Sequence, residues 1–194
     1  MQQGQCPRSS TGLVAREITL ADAPRVQAFF VENPSYFHIV HGCDPQPNEA
    51  QDEIQDSLPP GWSFTYNWKI GYFDPQGRLM AMVSVVSDLL AKTVWHIGLF
   101  MVATSQQGTG LARQLHDELE RWAAEQGAQW LRLSVVFDNA RAQRFWNACG
   151  YIEARTRDGI ELGQLRHQVR IMVKSLTQAS LEHYLELLPR DRPE

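Results

Sequence analysis

A glycine-rich turn between a strand-like and a helix-like segment is the first feature of the sequence that could do chemistry. The run Gln107-Gly108-Thr109-Gly110-Leu111-Ala112-Arg113 follows an apolar stretch and opens a helical pattern. The first turn of a helix has N–H groups without intrahelical partners and carries the positive end of the helix dipole. Glycines let such a backbone close around a phosphate without Cβ clashes. The run is therefore predicted to bind an anion such as a pyrophosphate.

Two well-known phosphate-binding patterns compete for this run. No GxxxxGK[ST] occurs in the chain, which excludes a P-loop. A dinucleotide-binding βαβ unit stays open, because a strand, two glycines, a helix, a second strand and Asp138 follow in order. Against that unit, Arg113 stands where its third glycine would be, and the run follows hairpin strands instead of opening the chain.

A second segment, residues 139–151, begins directly after a predicted strand. Asn139, Ala142 and Phe145 are spaced to share one face of a helix. The two segments together resemble the GCN5-related N-acetyltransferase family. The family's first motif, Q/R-x-x-G-x-G/A, is matched by Gln107, Gly110 and Ala112. Its second, N-x-x-A-x-x-F-Y-x-x-x-G-F, is matched by Asn139, Ala142, Phe145, Gly150 and Tyr151. The resemblance in element order runs from about residue 13 to residue 176.

The resemblance implies an α/β fold of the α+β type, with acetyl-CoA as acyl donor. Its mixed, mostly antiparallel sheet of six or seven strands is flanked by helices and splayed between strands 4 and 5, here residues 93–102 and 130–137. The pantetheine arm would lie in the gap, and the pyrophosphate would lie on the glycine-rich turn. The nucleotide phosphates would lie near Arg113 and Arg144. The cofactor-binding residues implied are Met101, Val102, Gln107, Gly108, Thr109, Gly110, Leu111, Ala112, Arg113, Asn139, Ala142, Arg144, Phe145 and Trp146.

The implied reaction is direct acetyl transfer to a primary amine of a small molecule or a protein. An ammonium must lose a proton before it attacks, so a base that titrates near neutrality helps. His96 is the predicted base, because many relatives place a Glu at this position of the fourth strand; the alternative is a packed strand histidine. Strand amides near residues 99–101 would hold the oxyanion.

The departing thiolate usually receives help from a Tyr at the position that Trp146 occupies here. An indole N–H donates a hydrogen bond but does not titrate usefully. Tyr36, Cys149 or water could substitute, and Tyr36 is the second predicted catalytic residue. The substitution also leaves open a non-catalytic acyl-CoA-binding module, and a dinucleotide-binding oxidoreductase is a third hypothesis.

The elements that must position these residues follow from hydrophobic periodicity and turn signals. Strands are predicted at residues 13–19, 63–73, 78–86, 93–102, 130–137, 151–156 and 165–174. Helices are predicted after Pro24 and at residues 48–58, 111–126, 139–149 and 181–188. One domain is expected over residues 1–194, with a polar leader (1–12), a core (13–176) and a C-terminal amphipathic helix and tail (177–194). That helix either packs on its own sheet or forms a homodimer contact.

Composition limits the remaining function classes. The chain has 194 residues, 43% of them hydrophobic, and a net charge of −4, which disfavours disorder and general nucleic-acid binding. No apolar run reaches the roughly 18 residues of a membrane span and no signal peptide is recognised, so a cytoplasmic protein without membrane association is expected. Three widely spaced cysteines indicate reduced thiols.

Two polar clusters near residue 44 contain residue types that occur in binding sites. His38, His41 and Cys43 are ligand types for zinc, but their spacing is too loose to predict a metal site. Five acids without a basic residue between them form either a solvated helix face or a surface for a cationic acceptor. They are Asp44, Glu49, Asp52, Glu53 and Asp56.

Overall fold

A seven-stranded mixed sheet forms the centre of the computed structural model, which describes residues 6–193. The strands are β1 (Val14–Glu17), β2 (Tyr66–Phe73), β3 (Leu79–Ser87), β4 (Val94–Val102), β5 (Trp130–Val136), β6 (Ile152–Leu162) and β7 (Leu165–Ser175). Their order is β1-β2-β3-β4-β5-β7-β6, and β4 and β5 are the parallel pair. The mixed, mostly antiparallel sheet predicted from the sequence is confirmed.

Helices cover both faces of this sheet. They are α1 (Ala23–Glu32), α2 (Ser35–Val40), α3 (Glu49–Gln55), α4 (Leu111–Glu125), α5 (Ala140–Ala148) and α6 (Leu181–Leu187). One core cluster joins the sheet to α4 and α5, and a second joins its other face to α1, α2 and α3. None of the described helices is both long and apolar enough to cross a bilayer.

Most elements match the expected segments, and the largest difference is the length of β6. The sequence predicts that this strand ends at residue 156, but it continues to Leu162. The extension pairs with β7 as a long hairpin with irregular register. The polar leader is only partly described, since residues 1–5 lie outside the described part.

The pairing of β4 changes at Gly98. Ile97 pairs with Val85 and Leu99 pairs with Ser84, so Gly98 is an extra residue on its strand, which defines a β-bulge. The bulge inverts the alternation of side chains: Ile97 and Phe100 pack toward α4 and α5, whereas Leu99 packs toward α1 and α2.

The bulge coincides with the parting of two strands. β4 pairs with β5 only from residues 94–97 to residues 130–133. Beyond that point β4 stays paired with β3 up to Val102, and β5 stays paired with β7 up to Val136. The two strands therefore splay apart, as the resemblance to the GCN5-related N-acetyltransferases implied, while each keeps its outer neighbour.

The C-terminal helix packs on its own sheet. Tyr184 and Leu188 are buried with Trp130 of β5 and Val173 of β7. The chain then turns so that Asp191, which has no exposed surface, receives two hydrogen bonds from Arg132 at 2.7 and 3.1 Å. The hydroxyl of Tyr184 donates a third at 2.6 Å. The terminal segment is thereby fixed to β5 by a buried ion pair, and the homodimer contact stays a prediction.

Removing the charge of Asp191 is expected to lower stability strongly. Burial is the largest single influence and opposes ionisation of this carboxyl. The hydrogen bonds and charge of Arg132, the Tyr184 hydrogen bond and the charge of Arg157 together outweigh it and hold the Asp191 pKa below its usual range. Its contribution is therefore present above about pH 4 and is lost as the pH falls through the lower, folded-state pKa. Asp191→Asn should reduce the free energy of unfolding in urea by about 3 kcal/mol at neutral pH, because Arg132 stays buried without a counter-charge.

The matched control is Glu186→Gln, which alters an exposed carboxyl on the same C-terminal segment. It should leave the urea midpoint unchanged. Equal midpoints for the wild-type protein and Asp191→Asn would contradict the stabilising role of the pair.

Candidate functional site

The splayed strands enclose a cleft of about 260 Å³ that passes from one face of the sheet to the other. Its walls are residues 97–100 of β4 and residues 133–136 of β5. Asn139, Ala142 and Trp146 line one end, next to α5, and Tyr36, Val40 and His41 line the other, next to α2. Side chains from elements on both faces of the sheet therefore meet at the splayed strands.

The inner edge of β4 is suited to an extended polar ligand. From Gly98 onward this edge has no strand partner in the described part of the chain. Unpaired N–H and C=O groups of a strand edge bind an extended chain by adding it as another strand. Met101 and Val102 continue this edge beyond the cleft toward the glycine-rich turn, where the sequence prediction places pantetheine contacts.

The glycine-rich turn combines glycines at positive φ with backbone N–H groups that have no partner in the described part of the chain. Gly108 and Gly110 have φ angles of +80° and +87°, a region that side chains with a Cβ disfavour. Within the described residues, the N–H groups of Gly108, Gly110 and Ala112 have no hydrogen-bond partner. Thr109 stabilises the turn instead, since its hydroxyl donates to the Gln106 carbonyl at 2.8 Å. The start of α4, at Leu111, thus has free N–H groups, which is the feature that the predicted pyrophosphate site requires.

The arginines at the starts of α4 and α5 differ in the contacts that they make. Arg113 lies between Asp117, at 2.9 Å, and the Ala148 carbonyl, at 2.8 Å, so it joins the start of α4 to the end of α5. Arg144 is exposed and has no ion pair among the described residues, which leaves its guanidinium available for a phosphate. The sequence reasoning missed Arg141, which donates a hydrogen bond to the Gln107 side chain. Its place in the first turn of α5 is the signal that could have revealed it.

Asn139 has two roles at the start of α5. Its Oδ1 accepts a hydrogen bond from the Ala142 N–H at 3.0 Å and so caps the helix. Its amide N–H groups have no partner among the described residues, and the residue lines the cleft. The cap thus fixes one side of the Asn139 amide and leaves its N–H groups without a partner beside the cleft.

Aromatic side chains close the α5 end of the cleft. Phe145 stacks on Phe100 with ring centroids 5.9 Å apart. Trp146 is 6% exposed, contacts the edge of Phe100 at 5.5 Å and lines the cleft. Ala142 is the small residue that leaves room beside them. The second predicted segment thus brings Asn139, Ala142, Phe145 and Trp146 together, although nothing here assigns Trp146 a chemical role.

His96 does not reach the cleft. It lies in the half of β4 that is paired with β5, before the bulge, and its Nδ1 is 3.1 Å from a guanidinium nitrogen of Arg132. Burial and the charge of Arg132 lower the pKa of His96 to about 3. A group with that pKa accepts a proton too weakly to activate an ammonium, so the geometry fits the packed strand histidine rather than the predicted base.

Tyr36, the other predicted catalytic residue, lies at the α2 end of the cleft. Its ring contacts the edges of Phe37 and His41, with centroids 5.2 and 6.0 Å apart. Burial and the negative charges of Glu53 and Glu49 raise the pKa of its hydroxyl well above the usual range. Tyr36 is therefore a neutral phenol in an acidic surrounding. Cys149, the other substitute considered, is a buried core residue whose thiol pKa is raised to about 11 by burial.

The loose zinc-ligand pattern is not assembled. His38 pairs with Asp44 at 2.6 Å, Cys43 accepts a contact from Gln46 at 3.7 Å, and His41 faces Glu49 at 3.6 Å. Each ligand-type side chain thus has a different partner. The potential ligand atoms of His116, Asp117 and Glu120 lie within 4.8 Å of one another, but Arg113 and Lys174 already bind the two acids.

Comparison with known proteins agrees with this geometry. Residues 27–151 match the model of the acetyltransferase (GNAT) family. A search of curated proteins gave no match.

Solved structures share the fold. A GCN5-related N-acetyltransferase from Kribbella flavida is 22% identical, with a TM-score of 0.64 over 87% of this chain and 100% of that one. Spermidine N-acetyltransferase from Vibrio cholerae, in complex with CoA and spermine, is 15% identical, with a TM-score of 0.66 over 87% and 98%. The ribosomal-protein-S18-alanine N-acetyltransferase from Escherichia coli is 18% identical, with a TM-score of 0.58 over 87% and 96%.

Replacing Gly110 with alanine is expected to weaken CoA binding. The new Cβ strains a residue at positive φ and displaces the N–H groups at the start of α4. Calorimetry should show the CoA dissociation constant rising about tenfold, the equivalent of one hydrogen bond of roughly 1.4 kcal/mol.

Gly77→Ala is the matched control, because Gly77 has a φ of +77° and equally open space in the β2–β3 turn. Both variants should lose similar thermal stability, and only Gly110→Ala should lose CoA affinity. An unchanged CoA affinity in Gly110→Ala would argue against the turn as the phosphate site.

Proposed function

The chain belongs to the acetyltransferase (GNAT) family, and on this premise we propose that it transfers the acetyl group of acetyl-CoA directly to a primary amine. The observation that carries the proposal is the cleft between β4 and β5. One end is lined by Asn139, Ala142 and Trp146 beside α5, and the other by Tyr36, Val40 and His41 beside α2, so donor and acceptor would meet between the splayed strands.

The donor end supplies contacts for a long, polar and anionic ligand. The free N–H groups of Gly108, Gly110 and Ala112 would hold the pyrophosphate, and Arg144 and Arg141 lie where further phosphates need cations. The amide of Asn139 and the inner edge of β4 would hydrogen-bond the pantetheine arm. Acetyl-CoA bound there supplies an activated acetyl thioester.

The strand edge also has a chemical role in the proposal. When an amine attacks a thioester carbonyl, negative charge develops on the carbonyl oxygen. Backbone N–H groups near Leu99, next to the bulge at Gly98, would stabilise that charge. The strand that carries them is held by pairing with β3 on its other edge, so these groups need little reorganisation during the reaction.

The acceptor end attracts a cation. Glu49 and Glu53 lie close enough to Tyr36 to raise its pKa, and Tyr36 lines the cleft. An ammonium entering here gains favourable electrostatic interaction. The related structures from Vibrio cholerae and Escherichia coli are named for an acceptor polyamine and an acceptor alanine, both amines. A small amine or a protein amine is therefore the proposed acceptor class.

The leaving group needs no strong acid. A thiol with a pKa of about 8.5 leaves readily as thiolate, so water can protonate it in place of the Tyr that Trp146 replaces. The neutral phenol of Tyr36 can donate a hydrogen bond but is too weak an acid to protonate the thiolate fully. No metal enters the proposed reaction, and we propose that it takes place in the cytoplasm.

The test combines binding and turnover on the wild-type protein. Calorimetry with acetyl-CoA and with NAD(P)H should show binding of the thioester alone. A thiol-release assay should then respond to amines, with spermidine and a peptide bearing an N-terminal alanine as two arms of the panel. Bound acetyl-CoA with no thiol release for any amine would favour an acyl-CoA-binding module, and nicotinamide binding without CoA binding would favour an oxidoreductase.

A further inference from the structure

We propose that His41, oriented by Glu49, accepts the proton that the acceptor ammonium loses before it attacks. This inference rests on the proposed transfer to an amine. It assigns the base to the α2–α3 side of the cleft rather than to the strand position of His96.

His41 is placed at the acceptor end by the residues around it. It follows α2 directly and lines the cleft together with Tyr36 and Val40. Its ring contacts the edges of Tyr36 and Phe37, with centroids 6.0 and 5.7 Å apart. The side chain is 25% exposed, so the ring is held by packing yet open to a molecule in the cleft.

The turn of the β6–β7 hairpin holds the backbone of His41 from the other side. The Gln164 N–H donates to the His41 carbonyl at 2.8 Å, and His167 binds the Val40 carbonyl at 2.9 Å. Gly163 lies so close that a Cβ there would come within 2.6 Å of the His41 carbonyl oxygen. The unexpectedly long hairpin thus fixes the position of this histidine.

The carboxylate of Glu49 orients the imidazole ring of His41. Its Oε2 accepts a hydrogen bond from the Gln46 N–H at 3.1 Å, which anchors the carboxylate, and its Oε1 lies 3.6 Å from Nδ1 of His41. The negative charge favours a hydrogen on Nδ1, so the lone pair that can take a proton lies on Nε2. A carboxylate behind a histidine also stabilises the imidazolium that forms.

Two other titratable groups at the α2 end of the cleft, Glu53 and Tyr36, are less suited to accept a proton. The Oε1 of Glu53 accepts hydrogen bonds from Lys69 at 2.8 Å and from Ser84 at 2.9 Å. The phenol of Tyr36 keeps its proton, since its pKa is raised. At the α2 end of the cleft, His41 thus combines two properties: its ring lines the cleft, and the carboxylate of Glu49 lies next to its Nδ1.

The proton transfer fits a balanced reaction. An alkylammonium with a pKa of about 10 gives one proton to Nε2 of His41, which frees the nitrogen lone pair. The nitrogen attacks the thioester carbonyl carbon, the C–N bond forms, and the C–S bond breaks with its electron pair on sulfur. The second nitrogen proton passes to the sulfur. The products are the amide and the free thiol, and His41 returns its proton to water.

The test uses His41→Ala and the matched control His38→Ala. Alanine keeps the His41 carbonyl that binds Gln164, and His38 is an exposed histidine of α2 that pairs with Asp44. With an amine that the wild-type protein acetylates, His41→Ala should lower kcat about 100-fold, the usual scale for loss of a general base. Added imidazole should restore part of that rate, while CoA affinity and thermal midpoint stay unchanged. Glu49→Gln should lower kcat less, and His38→Ala should be neutral and insensitive to imidazole.

Three outcomes would overturn the assignment. A wild-type rate in His41→Ala would remove His41 from the reaction. A loss of rate that imidazole does not restore would give His41 a structural role instead. Absence of thiol release by the wild-type protein with every amine would reject the proposed function and, with it, this role.

Discussion

The parting of β4 from β5 after four paired positions is the constraint on which the rest of the structure depends. Strand edges inside a protein must find hydrogen-bond partners, and here each strand keeps only its outer neighbour. The bulge at Gly98 falls at the point of parting and moves Phe100 to the face of α5, where Phe145 and Trp146 close the cleft. One local irregularity thus produces both an open edge and the aromatic end of the binding site.

A buried polar network holds the paired half of the two strands together. Arg132 of β5 contacts His96 of β4 and binds Asp191 from the C-terminal segment, which also accepts from Tyr184. The network explains why His96, the base predicted from the sequence, is neutral and enclosed. The strand β4 thus has two different halves: residues before Gly98 pair with β5, and residues after it line the open edge proposed to bind the donor.

The features of the proposed donor half could be read from local sequence pattern, because their determinants are close in sequence. The glycines before α4 and the Asn139-to-Phe145 spacing act within single turns. The acceptor half depends on contacts across the chain that spacing alone does not encode. The partner of Arg132 is 59 residues away, the bulge depends on the register between β3 and β4, and the β6–β7 turn reaches back to His41. His96, the predicted base, lies on the paired side of the bulge, whereas the long-range packing brings His41 to the cleft.

We propose that the inner edge of β4 and the start of α4 form one continuous binding surface for CoA. The most direct test of this proposal is a titration of the ¹⁵N-labelled full chain with CoA, followed through backbone amide shifts. The largest shifts are expected at residues 98–102 and at residues 107–112, saturating together with one dissociation constant. Shifts confined to another basic surface, such as the pocket of Arg155, Arg157 and Arg190, with the edge of β4 unaffected, would contradict the account.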